Sequence, residues 1–101
     1  GKYSKIITSQ GTFTSSKTLS QVHELLPKHC FYRTHKSFVV NLYYIKSYND
    51  NFISLTDGSS IDLARNKRAE FKKTLSLFIF FLSLLFLFLN VTFSQIISLL
   101  W

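Results

Sequence analysis

The chain predicts a small, mainly β fold: elongated antiparallel β-sheets with one or two short helices, followed by a C-terminal hydrophobic helix. Three observations predict it. Short runs rich in Val, Ile, Tyr, Phe and Thr recur between turn-forming Gly, Asn, Asp and Ser. Asp57-Gly58 is a strong two-residue hairpin signal. From Leu75 onward charge vanishes and large apolar side chains crowd together.

The elements follow in order. Tyr3 to Thr8 reads as a strand, Ser9-Gln10-Gly11 as a turn, and Thr12 to Ser16 as the returning arm of a hairpin. Thr18-Leu19-Ser20-Gln21 is a Thr-x-x-Gln capping box, after which Leu19, Val22, Leu25 and Leu26 share one helical stripe. Pro27 ends that helix, because Leu26 before it is pushed out of the α region. So short a helix has to pack its stripe on a sheet. Phe31 to Thr34 is a strand. Ser37 to Tyr44 is expected to be a compact turn carrying Phe38, Val39, Val40 and Leu42 inward, with Asn41 as an internal hydrogen-bond anchor. Ile45 to Tyr48 and Phe52 to Leu55 are strands joined by the loop Asn49-Asp50-Asn51, and Ser60 to Leu63 pairs back across Asp57-Gly58. Asn66 to about Thr74 is a short amphiphilic helix ending in Lys72-Lys73. The pattern offers no pair of adjacent helices for a helix-turn-helix.

Composition narrows the function. The 101 residues make one small domain at most. All twelve Lys and Arg and all five Asp and Glu precede Leu75, so a basic head of net charge +7 is joined to a neutral apolar tail. Such a head suits nucleic acid, an anionic membrane face or an acidic partner. Gly1 in place of an initiator Met marks a fragment or a processed product. Cys30, the only cysteine, permits no internal disulfide and no multi-thiolate zinc site, and reads as an apolar packing residue in a reducing compartment. His23, His29 and His35 fall six apart, a spacing that matches no metal-ligand pattern. No catalysis, metal or cofactor is expected. Glu24 and Glu70 lie on helix surfaces, Asp50 and Asp57 in turns, and there is no phosphate loop or nucleophile elbow.

The cations carry more information. Alternation along a strand puts Arg33 and His35 on one face and turns Lys36 to the other. Arg65, Lys67 and Arg68 lie just past a strand end, at the start of the last helix. Arg in such a position can read guanine O6 and N7 in a major groove, while Lys, hydroxyls and backbone N–H groups hold phosphates. Arg33 is equally readable as a structural brace.

The residues Thr18-Leu19, Leu25-Leu26-Pro27, Phe31-Tyr32-Arg33-Thr34-His35-Lys36-Ser37-Phe38-Val39-Val40-Asn41-Leu42, Ile45, Asp57-Gly58 and Leu63-Ala64-Arg65 together resemble the LytTR DNA-binding domain, over about Gly1 to Thr74. The resemblance implies an elongated antiparallel β fold in a bacterial transcription regulator, often the output half of a two-component response regulator. It implies a cytoplasmic protein whose loops enter successive major grooves of double-stranded DNA, usually as a homodimer on paired repeats. Carried over by position, it puts base contacts near Lys2, at Lys36 and at Arg65. Arg33 and His35 fall at hallmark positions, and Lys67 and Arg68 fit as contacts to the DNA backbone. Two departures stand out: the family's preceding strand is missing before Gly1, and Ala64 stands where relatives often have Ser.

Leu75 to Trp101 is long and apolar enough for a transmembrane helix, and Lys72 and Lys73 at its start would hold the basic head in the cytoplasm. Asn90 and Gln95 interrupt its second half, and Trp101 is placed as an interfacial anchor. Two readings stay open, a membrane-associating segment or an out-of-frame extension. In either case it is expected to be helical and to lack a core to join. The rival to DNA binding is a small membrane-anchored protein whose basic head binds anionic lipid or a protein partner.

Overall fold

The computed structural model describes residues 3–89; Lys2 and the features expected at Asn90, Gln95 and Trp101 lie outside them. Among the described residues, seven strands form three small antiparallel sheets, in the order β1-β2, β3-β4 and β5-β6-β7. Strands β1 (Ser4–Thr8) and β2 (Gly11–Ser15) make a ribbon in which Ile6 faces Phe13. Gly11 has φ 138°, a conformation costly for any residue with a Cβ. The ribbon is mostly exposed and is tied down at its base, where buried Ser4 donates to the Lys17 carbonyl at 2.9 Å. Helix α1 (Leu19–Leu25) starts on the expected box. The Gln21 N–H donates to Thr18 Oγ1 at 3.2 Å, and the Thr18 N–H to Gln21 Oε1 at 2.8 Å. It stops at Leu26, extended ahead of Pro27.

The segment expected to be one compact turn is instead a strand followed by a turn. Strand β4 (Phe38–Asn41) pairs antiparallel with β3 (Phe31–His35), leaving only Lys36 and Ser37 at the tip. The reason is local: Phe38-Val39-Val40 is a β-branched and aromatic run, and pairing satisfies its backbone while burying Val40. A 3-10 turn, Leu42–Tyr44, follows. Asn41 Oδ1 caps it by accepting from the Tyr43 N–H at 3.0 Å, the anchoring role expected of that residue.

Strands β5 (Ile45–Tyr48), β6 (Phe52–Leu55) and β7 (Ser60–Asp62) form a meander. Both of its loops are closed by short polar side chains bonding local backbone. Asn49 Oδ1 accepts from the N–H groups of Asn51 and Phe52, each at 2.8 Å. Asp57 Oδ1 accepts from the Ser59 N–H at 2.8 Å and its hydroxyl at 2.6 Å, and these bonds hold the Asp57 carboxyl below its ordinary pKa.

The last helix departs most from expectation. A 3-10 turn, Arg65–Lys67, leads into α2 (Arg68–Leu89), which runs through Thr74 and Leu75 without a break. Its buried residues are Phe71, Leu75, Phe78 and Leu82, one stripe spaced by four, three and four. Phe71 is fully enclosed, with the rings of Tyr32 and Tyr48 centred 5.8 and 5.2 Å away. The Tyr43 ring stands edge-on to Phe78 at 4.8 Å. The apolar segment therefore does have a core to join: its inner stripe completes the one formed by Cys30, Tyr32, Val40, Leu42, Ile53 and Leu63. Its outer side is open to solvent, and the whole is elongated, 44 × 31 × 25 Å.

Candidate nucleic-acid interface

The β3–β4 tip and the segment before α2 are joined by one backbone bond. The Ala64 N–H donates to the Thr34 carbonyl at 3.0 Å. Arg65 is the next residue after the donor, and Lys36 lies two beyond the acceptor, so both loops meet at this clasp. Thr34 is fully buried beneath it, with a hydroxyl that has no hydrogen-bond partner. Above the clasp is a shallow cleft of about 340 Å³ lined by Arg33, His35, Lys36, Ala64, Asn66 and Lys67.

The pairing of β3 with β4 shifts register between Arg33 and His35. Such an irregularity re-aims the side chains beyond it. Lys36 therefore lines the same cleft as Arg33 and His35, where strict alternation predicted opposite faces. Three bonds fix the tip. The Arg33 guanidinium donates to Ser20 Oγ at 2.7 Å and to the Lys36 carbonyl, tying α1 to the hairpin. His35 Nδ1 accepts from the Ser37 N–H at 3.1 Å, leaving Nε2 to carry the ring proton when the imidazole is neutral. The Phe38 ring packs 5.5 Å from that imidazole.

The cations divide by what already holds them. Lys36 and Arg65 are exposed, and among the described residues neither side chain makes an ion pair or hydrogen bond. Lys67 is partly engaged, its ammonium 3.8 Å from Glu70 and 5.9 Å from the centre of the Tyr32 ring. Arg68 braces the β5–β6 loop, donating to the Asp50 carbonyl and, at 2.8 Å, to Asn51 Oδ1. Nearby, Lys72 pairs with Asp50 at 3.3 Å, an exposed contact of little energetic weight. The Tyr32 hydroxyl is buried and makes no bond of proper geometry; burial, then the neighbouring Glu70 carboxylate, push its pKa up to about 12. Burial also raises the thiol of Cys30.

Sequence reasoning missed Asn66 and Ser20. Asn66 stands between two cations in the same loop, which was a usable signal. Ser20, inside the capping box, gave none, because its link to Arg33 depends on how α1 packs. No cluster of His, Cys, Asp and Glu fit to hold a metal occurs among the described residues.

The sequence profile of the LytTr DNA-binding domain matches residues 1–76. The chain belongs to the LytTR family. DNA binding is thus the function of the domain to which this LytTR chain belongs. Two curated relatives are both called "Sensory transduction protein LytT". That of Bacillus subtilis (strain 168) is 40% identical over 73 residues, covering 67% of this chain and 30% of the relative. That of Enterococcus faecalis (strain ATCC 700802 / V583) is 31% identical over 77 residues, covering 71% and 32%. The chain thus spans about a third of the length of these relatives. No solved structure matches it significantly.

Proposed function

We propose that the two loops meeting at the Ala64–Thr34 clasp read double-stranded DNA through a major groove. Lys36 and Arg65 reach base edges, because they are the exposed cations there with no internal partner to give up. Lys67 and Asn66 hold the adjacent backbone. Arg33 and His35 set the tip's shape and turn their remaining donors toward phosphate, and Arg68 contributes a backbone contact while bracing the loop beneath. Lys2, which precedes the first strand in sequence, supplies a further contact. In this reading the protein works in the cytoplasm, without catalysis, as a homodimer on paired half-sites, in a regulator whose remaining part receives the signal.

The observation that carries this reading is the cleft itself: Arg33, His35 and Lys36 share one basic hollow with Ala64, Asn66 and Lys67, far off in sequence, and exposed Arg65 belongs to the same loop. To test it, duplexes are enriched from a randomised pool with the full chain, then titrated by fluorescence anisotropy. Arg65→Ala should cost about 1–3 kcal/mol on the enriched duplex and little on a scrambled one. A parent chain that binds both duplexes equally would contradict the assignment.

A second reading is favoured by one specific observation. The helical stretch Arg65–Leu89 is long and apolar enough to cross a membrane, and only a minor part of it is buried. This supports membrane association through α2, alongside DNA binding or as the anchor of a basic head.

A further inference from the structure

The outer side of α2 is a large surface that DNA reading leaves unused. Leu77, Phe80, Leu84, Leu87 and Phe88 are 50–86% exposed. At about 3.6 residues per turn they fall on one arc, opposite the stripe from Phe71 to Leu82 that fills the core. An uninterrupted apolar arc of this kind on a small domain marks a surface to be covered.

We propose that this arc docks in the plane of an anionic lipid surface, with the inner stripe staying in the protein core. The inference rests on the membrane reading above and deepens it by naming the lipid class and the orientation. Charge around the arc identifies the occupant. Lys73 sits one turn before Leu77 on the same side. Along one flank Lys46 lines a groove with Leu75, Phe78 and Ile79. After Glu70 the described helix has no carboxylate. Lysines beside an apolar strip that has no carboxylate after Glu70 complement phosphate headgroups above acyl chains. A spanning arrangement would have to withdraw Leu75, Phe78 and Leu82 from the core, whereas in-plane docking leaves every internal contact standing. The cleft stays accessible, because Lys67 precedes Leu77 by ten residues, roughly 15 Å of helix.

The test is flotation of the full chain with vesicles of phosphatidylcholine alone and of phosphatidylcholine mixed with phosphatidylglycerol. Partition should be about tenfold or more stronger into the anionic vesicles and should fall with salt. The double variant Lys46→Glu, Lys73→Glu should erase that preference. Phe80→Ser with Leu84→Ser should weaken partition into both vesicle types, with circular dichroism checking that these surface changes leave the fold intact. Three results would overturn the proposal: variants that float like the parent, a parent that resists alkaline carbonate extraction as a spanning helix does, or a lipid-free dimer that Phe80→Ser with Leu84→Ser dissociates. Titration of the same proteins on the enriched duplex separates the two readings. Failure to float with DNA binding intact sinks the lipid docking alone, and normal flotation without duplex discrimination sinks the DNA reading alone.

Discussion

At the scale of single residues, the site is built by giving some polar groups partners and leaving others without. Arg33, Arg68 and His35 are occupied with Ser20, Asn51 and Ser37, and so hold shape. Lys36 and Arg65 are exposed and, among the described residues, engage no side-chain donor internally. Tyr32 is the opposite case, a hydroxyl buried without a bond, and its removal should be harmless near neutrality. Its titration has a definite sign. A folded pKa raised to about 12 means the folded state favours the protonated phenol over a normal value of 10.0. That stability is complete below the unfolded pKa and is lost as pH rises through the folded one. In urea unfolding, the parent should weaken between pH 10.0 and about 12, and Tyr32→Phe should weaken less over the same window. An identical alkaline loss in both proteins would mean the hydroxyl is already ionised or solvated when folded.

At the scale of elements, much of the chain was legible because the signals were local. The capping box at Thr18 and Gln21, the stop before Pro27, the Asp57-Gly58 hairpin and the Asn41 anchor each depend on residues no more than three apart. What escaped depends on distant partners. Phe38 to Asn41 became a strand because β3 was there to pair with it. Lys36 joined Arg33 and His35 because that pairing shifts register, which no side-chain pattern announces. Helix α2 looked like a short amphiphilic helix joined to unsupported apolar sequence, since composition past Leu75 hides which turns face the core. The sheets select Leu75, Phe78 and Leu82 and leave Leu77 and Phe80 outside. A chain ended after Thr74 should therefore be strongly destabilised, each lost core side chain contributing about 2–5 kcal/mol, while one ended after Phe86 should melt cooperatively. Thermal circular dichroism distinguishes them; equal melting temperatures would show that the inner stripe of α2 contributes nothing.

At the scale of the whole molecule, charge and apolarity are segregated along one long axis. A basic hollow lies where α2 begins, and an exposed apolar arc runs along the rest of it. Affinity for DNA should come largely from phosphate neutralisation and fall steeply with salt, each phosphate contact adding about 0.9 to the slope of log affinity against log salt. Lys67→Ala should lower that slope by about one contact and weaken all duplexes alike. Were Lys67→Ala to change sequence preference with the slope unmoved, Lys67 would be a base reader.

The most direct test of groove reading by this cleft changes the DNA and the protein together. Guanines of the enriched duplex are replaced one at a time by 7-deazaguanine, which removes only the major-groove N7 acceptor, and affinity is measured for the parent, Lys36→Ala and Arg65→Ala. One replacement should weaken the parent by about tenfold or more and leave Arg65→Ala indifferent, because the bond it deletes is already gone. If every replacement weakens parent and both variants by the same factor, neither Lys36 nor Arg65 touches a guanine edge, and the two loops at the clasp are not the reading head.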